Sequence, residues 1–148
     1  MIVYFDTSAL VPIVIEEEPS ENCALLWDQA DRVLSSRLLY AEGRAALAQA
    51  RRMGRLNEAS LRDAVRTFED LVQQLDAVEV TAELVHRAGT LAEQMRLRGY
   101  DAIHLASAEA VSDPEVVVAT VDRALHHAAR SLGLGVANLI EAQPREGP

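Results

Sequence analysis

A chain of 148 residues lies near the commonest domain size, long enough to bury a core and too short for two typical domains. Hydrophobic residues make up 49% of it and aromatics only 4%, which points to a core of Ala, Val, Leu and Ile and disfavours a β-sandwich. Acids outnumber bases 23 to 14 for a net charge of −9, arguing against unspecific adhesion to nucleic acid, and every base is arginine, which excludes Walker-lysine, Schiff-base and serine-lysine chemistry.

In chain order, residues 1–5 form an apolar run of β-formers that stops at Asp6, Thr7 and Ser8, all helix-capping types, so a strand followed by a helix is expected. That helix covers residues 9–15 with Pro12 near its first turn, and Pro19 opens a second helix through Trp27. Residues 33–36 read as a short strand and 37–53 as a long helix closed by Gly54. Asn57 caps the next, in which Leu61, Val65, Phe68, Leu71, Val72 and Leu75 recur at helical spacing, making a helical hairpin.

Residues 78–80 are a candidate strand, 82–97 a helix, Gly99 a break, and Asp101 the start of another helix. The β-branched run 116–121 is the clearest strand, reads as buried on both faces and ends at Asp122. A helix through Leu132 and an edge strand over 134–137 complete the pattern. The expectation is one domain over residues 1–142 with a frayed tail at 143–148. Strands alternating with helices imply an α/β fold with a mainly parallel sheet covered on both sides.

Charges interrupt every apolar stretch before the roughly 20 residues needed to cross a bilayer. Lone Cys23 has no disulfide partner and no basic-then-apolar leader opens the chain, so the cytoplasm is the expected compartment.

Ligands of open parallel sheets bind beyond the carboxyl ends of the strands, and Asp6 and Asp122 stand at two such ends. Each is also of a type that simply caps a helix. Glu42 projects at the edge of the stripe Leu39, Gly43, Ala46, Leu47 and Ala50, which suits either a site residue or an acid paired with a nearby arginine. Asp101 falls in the first turn of its helix, where the dipole stabilises an anion. Several converging acids repel one another unless a cation intervenes, and Mg²⁺ and Mn²⁺ favour such oxygen ligands.

The segments Phe5-Asp6-Thr7-Ser8-Ala9-Leu10, Tyr40-Ala41-Glu42, Tyr100-Asp101-Ala102-Ile103-His104-Leu105-Ala106 and Ala119-Thr120-Val121-Asp122, in that order, resemble the PIN-domain ribonucleases and, among them, the VapC-type toxins. The resemblance spans essentially the whole chain. It implies a three-layer α/β/α sandwich and a metal-dependent endoribonuclease that cleaves RNA phosphodiester bonds, the toxin of a VapBC-type toxin-antitoxin pair. Asp6 and Asp101 become the principal metal ligands, with Glu42 and Asp122 completing the site directly or through water and Mg²⁺ or Mn²⁺ as the ion. Thr7 or Ser8 would add a hydroxyl, and Thr120 would orient Asp122. A VapB-like antitoxin and a second copy of the chain are the implied protein partners, with residues 10–15 and 38–47 offering apolar surface to the antitoxin or packing into the core.

His104, three residues after Asp101, suits either support of the site or helix packing, whereas His86, His126 and His127 read as surface or core-edge residues. One cysteine and no HExxH leave zinc unsupported. Arg37, Arg44, Arg51 and Arg55 project within one helical sector, as a phosphate-binding stripe or as partners of acids on the next helix. Phosphate-accepting aspartate families need a lysine that this chain lacks. The remaining alternatives are an inactive PIN-fold interaction module and a non-toxin PIN nuclease of RNA processing.

Overall fold

A computed structural model describes residues 1–140; the expected domain end at 142 and the tail 143–148 lie outside the described residues. The elements are β1 (Ile2–Phe5), α1 (Thr7–Val14), α2 (Ser20–Gln29), β2 (Arg32–Ser36), α3 (Leu39–Arg52), α4 (Glu58–Gln74), β3 (Asp76–Val78), α5 (Ala82–Met95), α6 (Gly99–Ala110), β4 (Val116–Ala119), α7 (Arg123–Ser131) and β5 (Gly135–Val136). The five strands are ordered β3-β2-β1-β4-β5 and every pairing is parallel. Strand order reverses between β1 and β4, the position at which open parallel sheets form a crevice beyond the carboxyl ends of their strands.

Side-chain alternation along β1 divides the core. Val3 and Phe5 face a layer built from α1 to α4, in which Leu10, Leu39, Leu47 and Phe68 are buried. Tyr4 faces α5 to α7, among Leu91, Leu105 and Leu125. Three layers result, as the strand and helix periodicity implied, and no described helix is long and apolar enough to cross a membrane.

Several boundaries moved for reasons of pairing. The strand expected at 78–80 is β3, which begins at Asp76 opposite Leu34 and ends at Val78 because its partner β2 ends there at Ser36; beyond that pair Arg37 N donates to the Val78 carbonyl at 2.9 Å and the ladder stops. β4 ends at Ala119, not at 121, since β1 ends opposite it at Phe5. The break before α6 falls at Arg96, which adopts φ 54°, and Gly99 is the first residue of the helix. Pro12 lies in the second turn of α1, two residues before its end. Gly54, at φ 79°, closes α3 as expected, and the Asn57 side chain accepts from Ser60 N in a reciprocal cap of α4.

Candidate active site

Asp6 leaves β1 and caps α1, accepting the Ala9 amide at 3.0 Å through Oδ1. Ser8 Oγ donates to the same carboxylate at 2.7 Å, and Thr120 Oγ1 donates to Oδ2 at 2.7 Å. The carboxylate is only 3% exposed, and burial raises its pKa above the usual value. The donors from Thr120, Ser8 and Ala9 act in the opposite sense.

Asp122 repeats the arrangement after β4, capping α7 through Leu125 N at 2.9 Å. Its own amide donates to Thr120 Oγ1 at 3.1 Å, and the Val121 amide donates to Ser8 Oγ at 3.0 Å. The expected roles of the hydroxyls are thus redistributed. Thr120 donates to Asp6 and meets Asp122 through its backbone amide, not its carboxylate, while Ser8 joins the two strand ends. Capping and rim placement, alternatives in the sequence, both hold for these two aspartates.

Glu42 lies in the first turn of α3, and its side chain is 23% exposed. Its partners are not arginines: Thr7 Oγ1 donates to Oε1 at 3.0 Å and His104 Nε2 lies 2.6 Å from the same oxygen. Asp101 is buried in the first turn of α6 and accepts from Arg98 Nε at 3.1 Å. The other arm of that guanidinium, Nη2, is 3.5 Å from Asp122 Oδ2.

Four chain segments therefore bring Asp6, Glu42, Asp101 and Asp122 to the crevice edge, linked through Ser8, Thr120, Arg98, Thr7 and His104. Among the described residues no three His, Cys, Asp or Glu side chains converge closely enough to hold an ion as they stand. Hydroxyls and an amide engage Asp6, and an arginine side chain that is 75% exposed supplies the positive charge between Asp101 and Asp122. That guanidinium is a stand-in cation: the space between these two carboxylates accepts positive charge, and the donors around it are the hard oxygens that suit Mg²⁺ or Mn²⁺.

Arg98 and Tyr4 were missed in the sequence. Arg98 had a signal, an arginine three residues before an acid at a helix start. Tyr4 had a weaker one, the single hydroxyl in an apolar strand. The arginine sector of α3 resolves into ion pairs: Arg37 with Glu79, Arg44 with Glu69 at 3.5 Å, Arg51 with Glu58 at 3.9 Å and Arg55 with Glu17 at 3.2 Å. Leu10, Val11, Leu39 and Leu47 are core residues, which removes them from any exposed groove.

The PIN domain family model matches residues 3–131. Ribonuclease VapC45 and ribonuclease VapC49, from two Mycobacterium tuberculosis strains, are each 50% identical over 136 residues, 92% of this chain and 94% of the relative. Among solved structures, PAE2754 from Pyrobaculum aerophilum superposes with a TM-score of 0.70 at 19% identity, covering 92% of this chain and 83% of that one. VapC20 from Mycobacterium tuberculosis, a toxin that cleaves the sarcin-ricin loop, gives 0.65 at 17% identity over 85% of this chain and 94% of its own. Rickettsia felis VapBC2, bound to a promoter DNA fragment, gives 0.64 at 14% identity over 93% and 98%. With the family model matching residues 3–131 and two ribonucleases half identical over 92% of the chain, the chain belongs to the PIN-domain family, on the branch of the VapC ribonucleases.

Proposed function

We propose that this protein is a metal-dependent endoribonuclease, the toxin of a VapBC-type pair, acting in the cytoplasm on RNA and restrained by a VapB-like antitoxin. The observation that carries the reading is the gathering of four carboxylates from four chain segments at the β1/β4 switch point, in a chain half identical to ribonucleases VapC45 and VapC49. The neighbouring VapBC2 structure pairs a chain of this fold with its antitoxin, which supports the same partner here. A second copy of the chain and a single domain over residues 1–142 belong to the same proposal.

Asp6 and Asp101 would be the principal ligands of Mg²⁺ or Mn²⁺, with Glu42 and Asp122 completing the acidic set directly or through water; the Arg98 guanidinium now supplies positive charge between Asp101 and Asp122. A bound ion of this kind supplies Lewis acidity toward a phosphate oxygen and lowers the pKa of water. The chain's residues do the rest. Thr120 and Ser8 hold Asp6 in one orientation, and the dipole of α6 favours negative charge at Asp101. Arg98, once displaced from the two aspartates, remains at the exposed rim as a cation able to meet a phosphate. Local attraction of this kind is what a protein of net charge −9 requires to take an anionic substrate.

The test is cleavage of labelled single-stranded RNA by purified protein in Mg²⁺, Mn²⁺ or EDTA, beside Asp6→Asn and Asp101→Asn. Cleavage is expected only with metal, and each variant is expected to lose about 100-fold or more, the scale on which metal sites respond to altered ligation. If the wild type binds no metal and leaves a broad RNA panel intact, the chain is an interaction module of PIN fold. Cleavage without growth arrest on induction makes it a non-toxin PIN nuclease.

A further inference from the structure

Beneath the acidic rim a chain of polar side chains runs from the sheet into the helices. Tyr4 points from β1 into the α5 to α7 layer and is fully buried; His104 on α6 is 2% exposed beside it, ring to ring at 5.9 Å in an edge-on arrangement. Tyr4 Oη lies 2.8 Å from His104 Nδ1, and His104 Nε2 lies 2.6 Å from Glu42 Oε1. Glu42 belongs to α3, in the opposite layer. The imidazole therefore bridges the two helical layers at the carboxyl edge of the sheet.

The partners assign the protons. A carboxylate only accepts, so Nε2 carries the hydrogen. Nδ1 is taken up by the Tyr4 hydroxyl at 2.8 Å, so both ring nitrogens are engaged. Thr7 Oγ1 donates to the same carboxylate oxygen at 3.0 Å. One oxygen of Glu42 is thus clamped by two donors, while Oε2 takes no hydrogen bond among the described residues.

We propose that His104, set by Tyr4, is a positioning residue that fixes Glu42 so that its second oxygen is offered to the cation or its water at the rim. A buried histidine with both nitrogens occupied fixes its ring plane, as outer partners of metal ligands do. The inference rests on the metal-dependent reading above.

Calorimetric titration of Mn²⁺ into the full chain without RNA tests it, using His104→Leu, His104→Gln and the double variant Tyr4→Phe with His104→Leu. His104→Leu is expected to weaken Mn²⁺ binding about 10-fold or more, and to lower kcat on single-stranded RNA with KM unchanged, because no RNA contact is removed. His104→Gln, whose amide can donate to Glu42, recovers most of the affinity. The double variant leaves no orphaned phenol, so it regains thermal stability; a purely structural role would restore Mn²⁺ binding with it, and the proposal expects the affinity to stay low. Wild-type affinity in the stable double variant overturns the role of His104 alone. Failure of the wild type itself to take up Mn²⁺ overturns the metal-dependent reading and this inference with it.

Discussion

Asp6 accepts three donors, from Ala9, Ser8 and Thr120, yet burial outweighs them and its carboxyl is raised above the ordinary 3.8. A raised acid binds its proton more tightly in the folded than in the unfolded chain. Its contribution to stability is therefore complete below the unfolded value and is lost as pH rises through the folded one. Once ionised, and without metal, the carboxylate is a costly buried charge. Asp6→Asn is expected to melt higher than wild type in EDTA at pH 7, by about 2–4 °C for each kcal/mol relieved, and the gap should narrow as pH falls and the wild-type acid takes up its proton. Calorimetric melting as a function of pH decides it. A variant melting below wild type at pH 7 would mean that the three donors outweigh burial. The residue types here were legible in Asp6-Thr7-Ser8, but not their partners: Thr7 serves Glu42, and Ser8 serves Asp6 and the Val121 amide.

At the scale of elements, the hairpin of α3 and α4 closes on Gly43. A Cβ at this position would lie 2.2 Å from Cζ and 2.5 Å from Cε2 of Phe68, a ring that is fully buried and stacked against Tyr40 at 5.9 Å. Gly43→Ala should therefore destabilise by about 1–3 kcal/mol through overpacking, even though alanine favours helix over glycine by about 1 kcal/mol. Urea unfolding measures the balance, and an unchanged or raised midpoint would show that Phe68 gives way. Gly43 belonged to the buried stripe expected from the sequence; that it receives an aromatic ring required the partner helix. The arginine sector of α3 shows the same division. Its spacing was evident, but only the packing of α4 and neighbouring segments turned it into exposed ion pairs, each worth about 0–1 kcal/mol.

For the whole molecule, the order β3-β2-β1-β4-β5 places acids from distant parts of a chain of net charge −9 around one crevice. Their mutual repulsion is relieved now by Arg98 and, on the reading proposed, more fully by a divalent ion that binds the folded state alone. Saturating Mn²⁺ at about 100 times its Kd should stabilise the fold by about 2.7 kcal/mol, raising Tm by about 5–10 °C. EDTA should reverse the shift, and NaCl at matched ionic strength should not reproduce it. No shift with Mn²⁺ would remove the ion from the site. The same topology explains why the ends of β3 and β4 were misjudged: a strand lasts as long as its neighbour, and Val80, Thr120 and Val121 have β character but no partner to continue the ladder.

The amino-acid sequence by itself determined the alternation of strands and helices, the acids that end β1 and β4, the acid in the first turn of α6, and the resemblance that joins them, because periodicity, capping chemistry and short motifs are local properties of the chain. Only the tertiary structure decided which groups meet. Ser8 reaches Thr120 and the Val121 amide, Arg98 spans Asp101 and Asp122, and Tyr4 lies one hundred residues from the histidine it sets. Such contacts follow from strand order and from how two helical layers abut at the sheet edge. Neither is written in the spacing of residues along one element, since each depends on burying several apolar faces at once.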